Sequence, residues 1–243
     1  MNGARKHSAP LEALAADLAT HLGPGAAEAN QSLARHTSLR VGGPAEMLVV
    51  AQNQGALQEA ITLARGHGIP YRLLGSGSNV LVSDAGLPGL VVINRATVVT
   101  FDGLQVLAES GASFSTVARR CVQRGLAGVE WAANIPGTVG GAVFGNAGAW
   151  GGDVASALVE ATVLEPDGSV DRWPVGRFEY TYRSSVLKRR GTQGNHRRVV
   201  LEAVFGLKEG HRADLHAKVA DIVARRKASQ PPGPTCGSVF KNP

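Results

Sequence analysis

The sequence predicts an α+β protein, and three observations carry that expectation. Apolar residues recur at helical spacing in Pro10–Leu22 and Ala56–His67, each run closed by glycine. Short strand-like runs follow in Glu46–Ala51 and Tyr71–Leu74, so strand, helix and strand succeed one another as a small α/β unit. Glycine makes up 31 of 243 residues, nearly twice the usual share of about 7%. Many backbone positions therefore need left-handed angles or close approach to a neighbour.

Taken in order, Leu11, Leu14, Leu18 and Leu22 line one helix face, and Gly23-Pro24 terminates it. A turn at His36–Ala45 leads into Glu46–Ala51. The helix Ala56–His67 ends at Gly68, and Tyr71–Leu74 runs into Gly75–Asn79 and then the apolar Val80–Val82, read as a further strand. Leu90–Asn94, Val98–Phe101 and Leu104–Glu109 read as successive strands, with Gly103 at a turn. Ser113 suits the N-cap of a helix to Arg124, closed by Gly125. Leu158–Glu165 and Ser169–Trp173 form a hairpin about Pro166-Asp167-Gly168. Val199–Leu207 is a strand, Asp214–Lys227 a helix with a basic end that complements its dipole, and Pro231–Pro243 mostly loop.

Apolar content of 44% and charged content of 18% exclude a disordered chain. Net charge is +6, with arginine the main cation, which suits capture of phosphate or carboxylate. Lys188-Arg189-Arg190 and Arg197-Arg198 flank a loop-like stretch without interleaved aromatics, so they read as a solvated rim and no nucleic acid is expected. Cys121 and Cys236 form no CxxC and give no metal site, and so few cysteines fit the reducing cytoplasm. Glu12 and Asp17 interrupt any signal core, and no apolar run approaches the roughly 20 residues of a membrane span.

Two glycine-rich stretches hold the functional interest. Seven of the sixteen residues from Gly137 to Gly152 are glycine. Interior glycine costs roughly 1 kcal/mol relative to alanine in a helix, so Asn134–Gly152 is expected to be no ordinary helix. It is either a tightly packed corner or a loop facing a bulky ligand. The second stretch, Gly75-Ser76-Gly77-Ser78-Asn79, offers consecutive amides and two hydroxyls, as a pyrophosphate cradle or a plain turn would. It fits neither the Rossmann nor the P-loop pattern, because Val80 stands where a third glycine belongs and no Gly-Lys-Ser/Thr occurs.

Gly75–Asn79 followed downstream by Asn134-Ile135-Pro136-Gly137-Thr138-Val139-Gly140-Gly141 resembles the FAD-binding fold of the vanillyl-alcohol oxidase, or p-cresol methylhydroxylase, type. Thr37–Gly43, Asn146–Gly152, Tyr180–Ser185 and Gly237–Pro243 are similar to signatures of the UDP-N-acetylenolpyruvoylglucosamine reductase family. The resemblance runs from about residue 36 to the last residue. It implies two α/β subdomains, about 36–95 and 96–208, after an N-terminal helical lead-in over 1–35. Residues 209–243 would begin a substrate-binding domain.

The resemblance also implies chemistry. Hydride passes from NADPH by way of FAD to the enolpyruvyl double bond of a UDP-sugar, completing UDP-N-acetylmuramate for peptidoglycan. Arg40, Gly42, Gly75, Ser76, Gly77, Ser78, Asn79, Asn134, Ile135, Pro136, Gly137, Thr138, Gly140 and Gly141 would hold the cofactor. Arg183 would stabilise the enolate charge, and Ser238 would deliver the proton. Tyr182, Lys241 and Asn242 would contact the substrate. In the family a further glutamate lies beyond the Lys-Asn-Pro at which this sequence stops, so a C-terminally truncated member is expected. A flavin oxidoreductase with another small-molecule substrate, and a non-catalytic flavin-binding fragment, stay open as alternatives.

Overall fold

A computed structural model describes residues 9–189 and 197–229, together with Gly233, Thr235 and Gly237. Helix α1 (Ala9–Leu22) buries Leu11, Leu14 and Leu18, three positions of the predicted apolar stripe. Strand β1 (Ala27–Ser32) follows, an edge strand inside the segment expected to be only a helical lead-in. Its polar sequence AEANQS hides it from pattern reading, because an edge strand buries little.

β2 (Pro44–Ala51), α2 (Gln54–Gly66), β3 (Tyr71–Leu74) and β4 (Leu87–Asn94) complete a four-stranded sheet in the order β1-β2-β4-β3. β2 and β3 both run parallel to β4, whose residues Leu90–Asn94 are all buried, as a central parallel strand requires. The Asn53 side chain accepts from the Ala56 amide at 2.8 Å and caps α2. Val80–Val82 is not a strand: the chain there crosses as irregular backbone, and Val82 packs in the small core with Leu33, Leu48 and Leu74.

The second sheet is antiparallel. It begins with β5 (Val99–Asp102) and β6 (Gln105–Glu109), and α3 (Phe114–Gln123) follows behind its Ser113 cap. Next come β7 (Leu126–Ala127), α4 (Val139–Gly145), the two-residue strands β8 (Gly148–Ala149) and β9 (Gly152–Asp153), and α5 (Val154–Ala157). β10 (Leu158–Leu164) and β11 (Val170–Pro174) form the predicted hairpin, and α6 (Val186–Arg189), β12 (Val199–Gly206), β13 (Lys208–Glu209) and α7 (Arg212–Ser229) close the order. The five long strands pair as β11-β10-β12-β6-β5.

Beside that small core, two larger ones hold the layers. Phe114 stacks on Phe205 at 5.2 Å and meets the Trp131 edge at 5.5 Å, which fixes α3 against the antiparallel sheet. The other core gathers α1, α2 and the first sheet, and it also takes Leu164, Val199 and Leu201 from β10 and β12. The two sheets therefore share buried surface. α7 is tied back by Lys218 Nζ, 2.7 Å from Glu130 Oε1. Burial alone would raise the Glu130 carboxyl, but hydrogen bonds from Lys218 and the Gly128 amide outweigh it and hold it below the ordinary value.

Leu201 is fully buried in that shared core. Leu201→Ala is expected to cost about 2–5 kcal/mol and to shift one denaturant transition as a whole. Two separate transitions, with only one displaced, would contradict the shared core.

Candidate functional site

The glycine-rich stretches, far apart in sequence, meet in space. Gly75 follows the last residue of β3 and lies against Thr138, where an added Cβ would stand 2.4 Å from Thr138 Oγ1. Gly77 has φ +63°, and a Cβ there would fall 2.0 Å from the His36 carbonyl oxygen. Only glycine satisfies both the left-handed angle and that approach. Ser38 donates from its amide to the Gly77 carbonyl at 3.1 Å, which draws the 36–43 turn into the same cluster. Ser38 Oγ also reaches the Thr235 carbonyl at 2.6 Å. Arg95 donates to the Gly75 carbonyl at 3.1 Å and steadies the loop from the side of β4.

The sequence-predicted cofactor residues take different places, some in this cluster and some beside it. Arg40, in a left-handed conformation, closes the 36–43 turn through its amide to Thr37, and Gly42 packs on Val82. Ser76 and Asn79 are exposed, while Ser78 lies against Gly137. Among the described residues, the amides of Gly77, Ser78 and Asn79 donate to no protein acceptor. Asn134 offers its carbonyl to Arg226 of α7, Ile135 packs on the Phe114 core, and Pro136 is exposed. The Gly137 carbonyl accepts from Phe114.

Val139–Gly145 is a helix, contrary to the expectation from its glycine content. Tertiary packing overrides propensity here: Val139, Ala142 and Val143 are buried, and the Gly140 amide donates to the Ser110 carbonyl at 2.8 Å. Gly140 is glycine because Ser110 lies against it, with a Cβ position 2.8 Å from Ser110 Cβ.

Between the sheets lies a cavity of about 250 Å³, lined by Gly75, Thr138, Gly140, Gly141 and Phe144 on one side. Tyr71, Leu73, Asn94, Ser110 and Arg197–Val200 line the rest. Asn94 is buried and donates to Ser110 Oγ at 2.8 Å. Asn94, Ser110 and Arg197 escaped sequence reading, since each sits at the end of an ordinary strand or loop. The expectation of a solvated basic rim fails at Arg197 and Arg198, which are half-buried, with Arg198 Nε 2.5 Å from Glu165 Oε2.

α4 also carries the Tyr180–Ser185 turn. Tyr180 OH donates to the Val143 carbonyl at 2.9 Å, and Ser185 Oγ to the Phe144 carbonyl at 2.6 Å. Burial of the Tyr180 phenol pushes its ionisation well above the ordinary value, which keeps it a donor. Asn146, left-handed and buried, donates to Asp153 and to the Thr181 carbonyl, and accepts from the Ala155 amide. Thr181 and Ser184 exchange backbone hydrogen bonds, so Tyr182 and Arg183 occupy the tip of a tight turn. Arg183 has φ +55°, its carbonyl accepts from Lys188 Nζ at 3.0 Å, and its guanidinium lies 5.6 Å from the Tyr182 ring centre. Among the described residues it makes no ion pair. Tyr182 is 56% exposed. Ser238, Lys241 and Asn242 lie outside the described residues.

Two other features are inert by comparison. Burial pushes the Cys121 thiol up to about 12, so it is no nucleophile at neutral pH. Among the described residues, no group of three or more His, Cys, Asp or Glu could hold a metal ion, and no helix is long and apolar enough to cross a membrane.

Residues 45–172 match the FAD binding domain family. UDP-N-acetylenolpyruvoylglucosamine reductase 2 of Bacillus cereus (strain ZK / E33L) is 39% identical over 228 residues, covering 93% of this chain and 73% of that protein. The crystal structure of UDP-N-acetylenolpyruvylglucosamine reductase from Thermus caldophilus superposes with a TM-score of 0.75 at 32% identity, covering 89% of this chain and 75% of that one. p-Cresol methylhydroxylase shares the fold alone, with a TM-score of 0.57 at 13% identity over 84% of this chain and 44% of its own.

The contact between Gly75 and Thr138 gives a direct test. Gly75→Ala pushes the two stretches apart and is expected to weaken flavin retention about tenfold with the far-ultraviolet circular dichroism unchanged. Wild-type flavin content in the purified variant would contradict the assigned role of that contact.

Proposed function

The chain belongs to the UDP-N-acetylenolpyruvoylglucosamine reductase family, and from that membership we propose that it reduces UDP-N-acetylglucosamine enolpyruvate to UDP-N-acetylmuramate, with FAD as cofactor and NADPH as reductant. The reading places it in the cytoplasm, in peptidoglycan synthesis. It takes 36–208 as the FAD-binding domain and 209–243 as the start of the substrate-binding domain, with 1–35 as a lead-in that also supplies an edge strand.

The observation that supports this most is the meeting of Gly75–Asn79 with Gly137–Gly141 beside a cavity that has no carboxylate among its described lining residues. The residues present fit FAD. Amides of Gly77, Ser78 and Asn79, which have no acceptor among the described residues, can serve as phosphate donors. Ser110, Thr138 and the α4 glycines offer small surfaces against which a flat ring system lies close. When bound, FAD supplies the two-electron carrier between NADPH and the substrate.

The chain's own contribution to the reaction is to orient and to stabilise charge. Arg183 is held by a turn that α4 anchors through Val143 and Phe144, and α4 also walls the cavity. Cofactor position and arginine position are thereby set by one seven-residue helix. The Arg183 guanidinium opposes the negative charge that develops toward the substrate carboxylate. Exposed Tyr182 shapes the approach of the sugar, with Lys241 and Asn242 assigned to polar contacts. Ser238 is assigned the proton delivery, and Thr235, three residues before it, is held at Ser38 beside the glycine loop.

Arg183→Ala is expected to keep its flavin and its half-reaction with NADPH while the half-reaction with the UDP-sugar slows by about 10²–10³. Anaerobic stopped-flow absorbance separates the two phases. Equal slowing of both phases, or loss of flavin, would contradict the assignment.

A further inference from the structure

The Tyr180–Ser185 turn is fastened to the end of α4 at three residues, and the fastenings differ. Tyr180 and Ser185 reach the Val143 and Phe144 carbonyls with hydroxyls, one at each flank of the turn. The third fastening comes from the helix end: Asn146 Nδ2 donates to the Thr181 carbonyl at 3.1 Å. That carbonyl also closes the turn, accepting from the Ser184 amide at 3.1 Å. Asn146 therefore grips the atom that holds Tyr182 and Arg183 at the tip.

Two demands meet at position 146. Its backbone ends α4 at φ 47°, with its amide on the Ala142 carbonyl, and asparagine tolerates that left-handed angle better than most residues that carry a side chain. Its side chain, in a residue only 4% exposed, uses both hydrogens and its oxygen. The second Nδ2 hydrogen goes to Asp153 Oδ2 at 3.2 Å, and Oδ1 accepts from the Ala155 amide at 3.0 Å. Asp153 is itself pinned as the cap of α5, accepting from the Ser156 amide at 3.0 Å. The turn is thus referred to two helix ends at once. Arg183 needs such a frame, because a non-glycine residue at φ +55° persists only where its surroundings impose the angle.

We propose that Asn146 is a positioning residue, which through the Thr181 carbonyl sets where Arg183 stands relative to the cavity that α4 walls. The inference rests on the reading of Arg183 as the group that opposes the substrate's developing charge. Asn146 does not line the cavity, so it acts only through the turn. Glycine at 146 would keep the angle and lose the grip. Aspartate would keep the shape, but its ionised form repels both the Asp153 carboxylate and the Thr181 carbonyl. Burial and the Asp153 charge would hold that new carboxyl above its ordinary value, and its protonated form regains one donor. The other ionisable groups about the network are the Tyr180 phenol, which burial and Asp153 keep protonated, and Lys188, whose Nζ donates to the Arg183 carbonyl. The aspartate variant is therefore loosest at high pH and tightens as pH falls.

The test compares full-length wild type, Asn146→Gly and Asn146→Asp. Amide hydrogen exchange of the 178–187 segment is the first readout, with the β4 and β12 segments as controls. Asn146→Gly is expected to exchange about tenfold faster in that segment alone. Asn146→Asp is expected to match it at about pH 8 and return toward wild type at about pH 6, each ratio taken at one pH. Wild-type exchange in both variants, a ratio for Asn146→Asp that is flat with pH, or equal acceleration in the controls would overturn the proposal. Should one variant fail to fold, the other decides. The second readout is the anaerobic half-reaction with the UDP-sugar, expected to slow about ten- to a hundredfold in Asn146→Gly, with flavin content and the NADPH half-reaction unchanged. Adding Asn146→Gly to Arg183→Ala is expected to slow nothing further, and extra slowing, or loss of flavin, would also overturn the proposal. An Arg183→Ala that keeps the wild-type rate with the UDP-sugar defeats the Arg183 reading instead, and hydrogen exchange still decides whether Asn146 holds the turn.

Discussion

The structure depends on one close approach. The backbone at Gly75 touches Thr138 and the backbone at Gly77 touches the His36 carbonyl, so three loops from both sheets converge on a few ångströms of space. No side chain larger than hydrogen fits at either position. Around that contact the polar backbone is divided: some amides, such as those of Ser38 and Gly140, are used to hold the loops together, and those of Gly77, Ser78 and Asn79 have no acceptor among the described residues. A cluster assembled at such steric cost, with donors left over and a cavity beside it, is organised for an anionic ligand.

The same contact passes its geometry to the chemistry. Thr138 precedes α4, and the last residues of α4 hold the turn that bears Arg183. Asn146, capping that helix in a left-handed conformation, uses its whole amide to join the helix end, the Asp153 turn and Thr181. A buried polar side chain with every group satisfied rigidifies its surroundings. The turn that bears Arg183, the residue proposed to be catalytic, is therefore positioned by backbone carbonyls of the very segment that walls the cavity. On the proposed reading, binding and catalysis share one support.

Much of this was legible in the sequence, for reasons that differ by element. α2 and α3 announce themselves through apolar spacing together with Asn53 and Ser113 caps. The β10–β11 hairpin is announced by Pro166-Asp167-Gly168. β1 was not legible, because a half-exposed edge strand has no apolar alternation to show. α4 read as loop, since its helicity comes from burial of Val139, Ala142 and Val143 and not from propensity. The two glycine stretches were legible as a pair only through family resemblance; nothing in local sequence says that Gly75 and Thr138 touch. Arg197 was misread for a related reason: a charged pair beside a polar loop looks solvated until the packing of Tyr71 and Arg65 around it is known.

The central claim is that the converging glycine loops hold a flavin dinucleotide. The visible absorption spectrum of the purified chain, before and after incubation with FAD and removal of excess, tests it most directly. The account predicts the two-band spectrum of a bound oxidised flavin, released by denaturation as intact FAD in stoichiometric amount. A well-folded chain that stays colourless after incubation would contradict it.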